Sequence, residues 1–134
     1  MRYLLDTNVL SQLVRDPRGA VAERLSRQVE SDVFTSIVVA CELRYGARKK
    51  NSPLLNQRID QLLASIEVAA LDAGVDEHYG QVRAELESRG TPIGANDLLI
   101  AAHALAEQAT LVTDNTAEFR RVPGLAVENW LRSD

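Results

Sequence analysis

Arg2-Tyr3-Leu4-Leu5-Asp6-Thr7-Asn8-Val9-Leu10 decides the fold class. The apolar run stops at Asp6, and Asp-Thr-Asn is a turn and cap sequence whose side chains satisfy free backbone N–H groups. Beyond it, Val9, Leu10, Leu13 and Val14 recur at helical spacing until Asp16-Pro17-Arg18-Gly19 interrupts the period. A strand that runs through one polar turn into a helix sets the pattern for the chain: short β-rich runs alternate with helical periods. That alternation predicts an α/β fold with a central, mostly parallel β-sheet flanked by α-helices.

The remaining elements follow by the same signals. Ala20 to Glu30 repeats Val21, Leu25 and Val29 at helical spacing, and Val33-Phe34-Thr35 reads as a second strand. Ser36 is a natural N-cap for a helix from Ile37, and Ser52-Pro53 opens another that runs to about Ser65. Glu67 to Leu71 is a third strand, followed by a helix from Asp72 towards Arg89 that Gly90 closes. The loop Thr91-Pro92-Ile93-Gly94 leads to Asn96 or Asp97 and the apolar helix Leu98 to Ala106. Thr110 to Thr113 and Leu125 to Val127 are the last two strands.

At 134 residues the chain has the length of one domain, expected over residues 1–134. Aromatics make up 4% of it, so Leu, Ile, Val and Ala must fill the core. No apolar run is long enough to span a bilayer, and Asp6 arrives too early for a secretory h-region. The single Cys41 has no intramolecular partner for a disulfide, and the expected compartment is the reducing cytoplasm. A net charge of −4 is the wrong sign for gripping nucleic acid by bulk electrostatics. Any RNA substrate must be drawn by a local basic patch and by bound cations.

The acids fall where a parallel sheet places its ligand site, beyond the carboxyl ends of the strands. Asp6 follows the first strand, Asp97 lies in a first helical turn after a Gly-containing loop, and Asp114 and Asn115 follow the fourth strand. Glu42 interrupts an apolar helical face with Val38 and Tyr45, a costly place for a carboxylate unless it is paired or bound to metal. Each has an ordinary alternative: a cap for Asp6, a helix-dipole carboxylate for Asp97, an edge position for Glu42. Together they suit a hard divalent cation, which takes a few carboxylates and leaves other positions to water and phosphate. Cys41 is expected to be a small core residue and His103 a hydrogen-bonded structural histidine, and with only His78 besides, a Cys/His zinc site is excluded. Arg44, Arg48, Lys49 and Lys50, with Arg120 and Arg121, are either helix-end charge on a solvated face or a phosphate-contacting rim.

Leu-Leu-Asp6-Thr7-Asn8, Ser36…Cys41-Glu42-Leu43…Tyr45-Gly46, Ile93-Gly94-Ala95-Asn96-Asp97-Leu98-Leu99 and Leu111-Val112-Thr113-Asp114-Asn115…Glu118-Phe119 stand in the order of one family. The chain resembles the VapC toxins, PIN-domain endoribonucleases, from residue 2 to 131. The resemblance implies a PIN-like fold and RNA cleavage dependent on Mg²⁺ or Mn²⁺, commonly in structured transfer or ribosomal RNA. It also implies a VapB-type antitoxin as partner and a homodimer within a larger complex. Asp6, Glu42 and Asp97 match the family's acidic positions, and Thr113 matches a nearby hydroxyl. The fourth acidic position is Asn115 here, with Glu118 or Asp114 as substitutes and Glu118 preferred. Two alternatives stand beside this one: a phosphatase using Asp6 as nucleophile, which expects an acid where Asn8 stands, and a non-catalytic PIN-fold interaction module.

Overall fold

The computed structural model describes residues 1–132; the expected domain limit at residue 134 lies outside them. The chain runs β1 (Tyr3–Leu5), α1 (Thr7–Arg15), α2 (Ala20–Ser26), a 3-10 turn (Glu30–Asp32), β2 (Val33–Ser36), α3 (Ile37–Lys50), α4 (Pro53–Ser65), β3 (Glu67–Ala69), α5 (Val75–Ser88), α6 (Ala95–Ala106), β4 (Thr110–Val112), α7 (Thr116–Phe119) and β5 (Val127–Glu128). The strands form one sheet in the order β3-β2-β1-β4-β5, every adjacent pair parallel. Leu4 lies opposite Phe34 on one side and Leu111 on the other. Successive residues of β2 and β4 are all buried, so helices cover both faces of the sheet, as the α/β pattern predicts.

The order matters for function. From β1 the chain builds outward through β2 to β3, then returns to lay β4 and β5 on the opposite side. The switch point therefore lies between β1 and β4, where open parallel sheets bind ligands. Asp6 N donates to Val112 O at 2.9 Å, so the acid at the end of β1 is fixed by β4 itself.

Capping sets most boundaries as expected. Ser36 Oγ accepts from Val38 N at 3.1 Å and Ser52 Oγ accepts from Leu55 N at 3.2 Å. Four boundaries shift by two to four residues. The second helix stops at Ser26 rather than Glu30, because Arg27 N turns back to Arg24 O and Ser26 Oγ to Glu23 O; Val29 is exposed beyond it. The helix expected from Asp72 starts at Val75, because Gly74 at φ +98° is left-handed and cannot extend it. β5 begins at Val127, two residues late, after Gly124 turns the chain at φ +78°. β3 ends at Ala69, two residues before the expected Leu71.

Cys41 is not in the core. Val38, Val39, Leu43 and Ala47 take the inward face of α3, which leaves Cys41 exposed on its outer side. Among the described residues no helix is long and apolar enough to cross a membrane.

Candidate active site

Asp6 caps α1 from the end of β1 and is buried, at 4% exposure. Its Oδ1 accepts from Thr7 N at 2.8 Å and its Oδ2 from Thr113 Oγ1, also at 2.8 Å. Both the cap and the ligand readings of Asp6 are therefore compatible with the structure: one oxygen serves the helix, the other faces the switch point. Burial raises its carboxyl above the ordinary 3.8, the two hydrogen bonds pull it back, and the charges of Glu42 and Glu118 push it up again.

Glu42 sits half-buried at the edge of the α3 stripe, with Val38 buried on one side and Tyr45 exposed on the other. Its Oε1 accepts a short hydrogen bond from Thr7 Oγ1, and Asn96 Nδ2 lies 3.4 Å from Oε2. Asp97 comes from the first turn of α6, whose N-terminus puts positive peptide dipole behind it. Burial pushes its carboxyl up to about 7, and Glu118, Asp6 and Glu42 add to the rise, Glu118 by a hydrogen bond as well as by charge. The short helix α7 brings Glu118 back over this point: its Oε1 accepts from Gly94 N at 3.3 Å and its Oε2 from Asn115 Nδ2.

Asp6, Glu42, Asp97 and Glu118 thus share one electrostatic centre. Asp114 does not join it: its carboxylate takes Asn129 Nδ2 and Arg132 Nη2, both at 3.0 Å. Asn115 is exposed and reaches the centre through its hydrogen bond to Glu118. Three residues that sequence reasoning did not assign complete the frame. Thr7 and Asn96 hold Glu42, while Asn8 Oδ1 accepts from Asp114 N at 2.9 Å and its Nδ2 lies 3.3 Å from Thr113 Oγ1. Thr7 and Asn8 stood in the Asp-Thr-Asn turn, where the cap explanation absorbed them.

The donor set tests the metal expectation. It is all oxygen, it carries mutual repulsion, and a proton on Asp97 at about pH 7 occupies the role a cation would take. Among the described residues no three acids are drawn closely enough to enclose an ion by themselves. That suits an ion held by one or two carboxylates with water completing its octahedron, and not an all-protein cage.

The basic residues divide. Arg48, Lys49 and Lys50 end α3, and Lys50 lines a cleft together with Thr7 and Glu42. Arg120 faces a separate cleft with Arg24 and Arg132, and Arg121 donates to Pro92 O at 3.2 Å. His103 is fully buried, its Nδ1 2.8 Å from Ser36 Oγ, as a structural histidine would be.

The chain matches the PIN domain family over residues 3–125. Ribonuclease VapC2 of Rickettsia felis is 40% identical over 132 residues, covering 97% of this chain and 98% of the relative. The tRNA(fMet)-specific endonuclease VapC of Shigella flexneri is 37% identical over 131 residues, again 97% and 98% of the two chains. Among solved structures, a chain of VapBC2 from Rickettsia felis bound to a promoter DNA fragment superposes with a TM-score of 0.89 at 39% identity, over 97% of this chain and 99% of that one. A chain of VapBC-1 from nontypeable Haemophilus influenzae gives 0.87 at 34% identity, over 98% and 100%. With the family match, the identities along nearly the whole length and the acids gathered at one strand edge, the chain belongs to the PIN-domain family and, within it, to the VapC toxins.

Proposed function

We propose that this chain, one PIN domain over residues 1–134, is the toxin of a type II toxin–antitoxin pair, a metal-dependent endoribonuclease that hydrolyses RNA phosphodiester bonds in the cytoplasm. The observation that carries it is the convergence of Asp6, Glu42, Asp97 and Glu118 at the β1/β4 switch point, where neutral side chains and backbone N–H groups hold Asp6, Glu42 and Glu118 and Asp97 shares a hydrogen bond with Glu118. Ribonucleases of the family are in general metal-dependent, and the all-oxygen donor set favours Mg²⁺ or Mn²⁺.

Asp6 and Asp97 would be the principal ligands, and of the two expected roles for Glu42, direct or through water, the spacing of the acids favours the one through water. An ion held there would supply Lewis acidity towards water and would offset charge on the phosphate. Thr113 fixes the Asp6 carboxylate, Thr7 and Asn96 orient Glu42, and Glu118 with Asn115 closes the site from α7. Asn8, where a phosphatase would need its second acid, is a brace between Thr113 and the Asp114 N–H. The name of the Shigella flexneri relative supports a structured transfer RNA as substrate.

A VapB-type antitoxin is the partner, as in the VapBC complexes. Three adjoining clefts form a track for it. The first, of about 710 Å³, lies between Leu25, Val29, Leu62 and Ile66; the second shares Leu13 and Leu62 with it; the third shares Val14 and Arg15 with the second and ends at Glu42. The toxin itself is a homodimer, supported by the exposed line of Ile37, Cys41 and Tyr45 along α3; sedimentation of the purified chain reads this directly. Asp97→Asn should abolish cleavage of bulk tRNA while the chain stays folded by circular dichroism. Full cleavage by that variant, free of wild-type protein, would refute the metal-site assignment.

A further inference from the structure

The acid centre leaves unexplained a second concentration of charge, beside β5. α2 faces the end of β5 and the residues after it across a cleft of about 530 Å³. Arg24 and Arg27 line it from α2, Arg120 from the segment after α7, and Arg132 from the C-terminal side; the acids on its walls are Glu23 and Glu128. A chain with net charge −4 has thus put four arginines, and no lysine, around one concave surface.

This cleft adjoins the acid centre through the backbone. Arg132 Nη2 bonds the Asp114 carboxylate at 3.0 Å and lies 3.4 Å from Asp114 O. Asp114 directly follows Thr113, whose hydroxyl holds Asp6. Glu128, on the cleft wall, lies opposite Val112 at the end of β4, and Asp114, which holds Arg132, follows two residues after Val112.

Arg24, Arg27 and Arg132 are positioned yet not saturated. Arg24 lies 5.3 Å over the Trp130 ring and pairs with Glu128 at 3.2 Å, and the Trp130 indole N–H donates to the same carboxylate oxygen at 3.1 Å. A guanidinium has five N–H donors in a fixed fork, so one carboxylate contact leaves most of them for a second anion. The pairs are exposed, with the Arg27 and Arg132 side chains 64% and 63% accessible, and such pairs exchange readily with a competing ligand. Planar forks at several points along a groove match the oxygens of successive phosphates better than point charges would.

We propose that this arginine cleft binds the sugar–phosphate backbone of the RNA substrate, beside the bond that the acid centre cuts. The proposal rests on the ribonuclease reading above. The proposed antitoxin track shares no lining residue with this cleft, although both run along α2.

The test is an anisotropy titration of fluorescein-labelled bulk tRNA with the Asp97→Asn chain, which leaves the RNA intact. Arg24→Gln, Arg27→Gln and Arg132→Gln should each weaken binding several-fold. Combined, they should lower the slope of log affinity against log salt by about 2 to 3, close to one unit for each phosphate left without its arginine. Glu23→Gln and Glu128→Gln should tighten binding, because each removes a competing carboxylate; these variants decide the matter if the triple variant fails to fold. An unchanged slope in a folded triple variant, or no tightening in the glutamate variants, would overturn the proposal. So would loss of antitoxin binding with RNA binding intact, which would mark a protein-docking surface. Arginine-dependent binding of tRNA that the wild-type chain never cuts would refute the ribonuclease reading and uphold the cleft.

Discussion

Thr113 Oγ1 donates to Asp6 Oδ2 at 2.8 Å and thereby joins the ends of β4 and β1 across the switch point of the sheet. The same hydroxyl oxygen accepts from Asn115 N at 3.0 Å, so it also fixes the turn that leads to Glu118. Thr113→Val keeps the shape and removes both functions. Leaving the buried Asp6 carboxylate short of a hydrogen bond should cost about 1–3 kcal/mol in denaturant unfolding. The Asp6 carboxyl, already raised by burial, loses the bond that most lowers it. The acid limb of the cleavage pH profile should therefore move to higher pH. A profile superimposable on the wild type would mean that Thr113 only packs.

The two principal aspartates should differ when made neutral. Asp97 has a folded pKa of about 7 against an ordinary 3.8. Between those values the metal-free folded chain keeps a proton that the unfolded chain has lost, so stability falls as pH rises from about 4 to about 7. Asp97→Asn should abolish that dependence, matching wild type near the acid end and melting higher above about pH 7 in chelator. Asp6→Asn also sheds a disfavoured charge, but an amide has one oxygen for the two donors Thr7 N and Thr113 Oγ1 and turns its own NH₂ against the other. It should melt at or below wild type. Added Mg²⁺ should raise the wild-type melting temperature more than that of either variant. Equal melting curves for both variants across the pH range would contradict this account.

The sequence made the sheet and the principal acids legible because both are written locally. Asp6 and Asp97 announce themselves by position, one after a strand and one at a helix start, and Ser36 and Ser52 mark their helices by capping chemistry. Apart from the family pattern, Glu42 is legible as an anomaly alone, since its partner Thr7 lies 35 residues away. Glu118 required the family pattern: α7 is four residues long, too short to show a period, and its role depends on a return to Gly94. Cys41 was misplaced because α3 buries a different arc from the one its apolar letters suggest. Asn8 remained hidden behind its turn-forming role, and the division of the arginines between two surfaces depends on how α2 meets β5.

His103 should make the fold sensitive to acid. It is fully buried, Nδ1 faces Ser36 Oγ, and Nε2 has no partner among the described residues. Burial holds its pKa below the ordinary 6.5, with Arg2 adding to the effect and Glu107 opposing it. The unfolded chain gains a proton first, so this contribution to stability is complete above about pH 6.5 and is lost as pH falls towards the folded value. His103→Leu should flatten the fall of the unfolding midpoint as pH drops below about 6.5. An equally steep decline in that variant would assign the acid sensitivity to other groups.

The end of α3 supplies a test separate from the arginine cleft. Arg48, Lys49 and Lys50 complement the helix dipole, and Lys50 lines the cleft that holds Thr7 and Glu42. Replacing all three by Gln should weaken tRNA binding and flatten its salt dependence, with Mg²⁺ binding by calorimetry little changed. A salt slope equal to wild type would mean that these charges only solvate the helix end.

Antitoxin and metal should compete for the acid centre. The apolar end of the antitoxin track, with Leu25, Leu62 and Ile66, gives a helix or extended segment a surface to cover, and the far end reaches Glu42 between Arg15 and Lys50. A segment following that path arrives beside carboxylates whose mutual repulsion calls for a positive group. An arginine of the antitoxin placed there would make charge-assisted bonds to the oxygens of the proposed metal site. Inhibition should then weaken as Mg²⁺ rises, and affinity for the antitoxin should drop on Asp97→Asn or Glu42→Gln. Leu62→Glu, at the opposite end of the track, should weaken the complex without making it metal-sensitive. Inhibition indifferent to both metal and the carboxylates, yet abolished by Leu62→Glu, would place the antitoxin on the apolar groove alone and leave the acid centre to RNA.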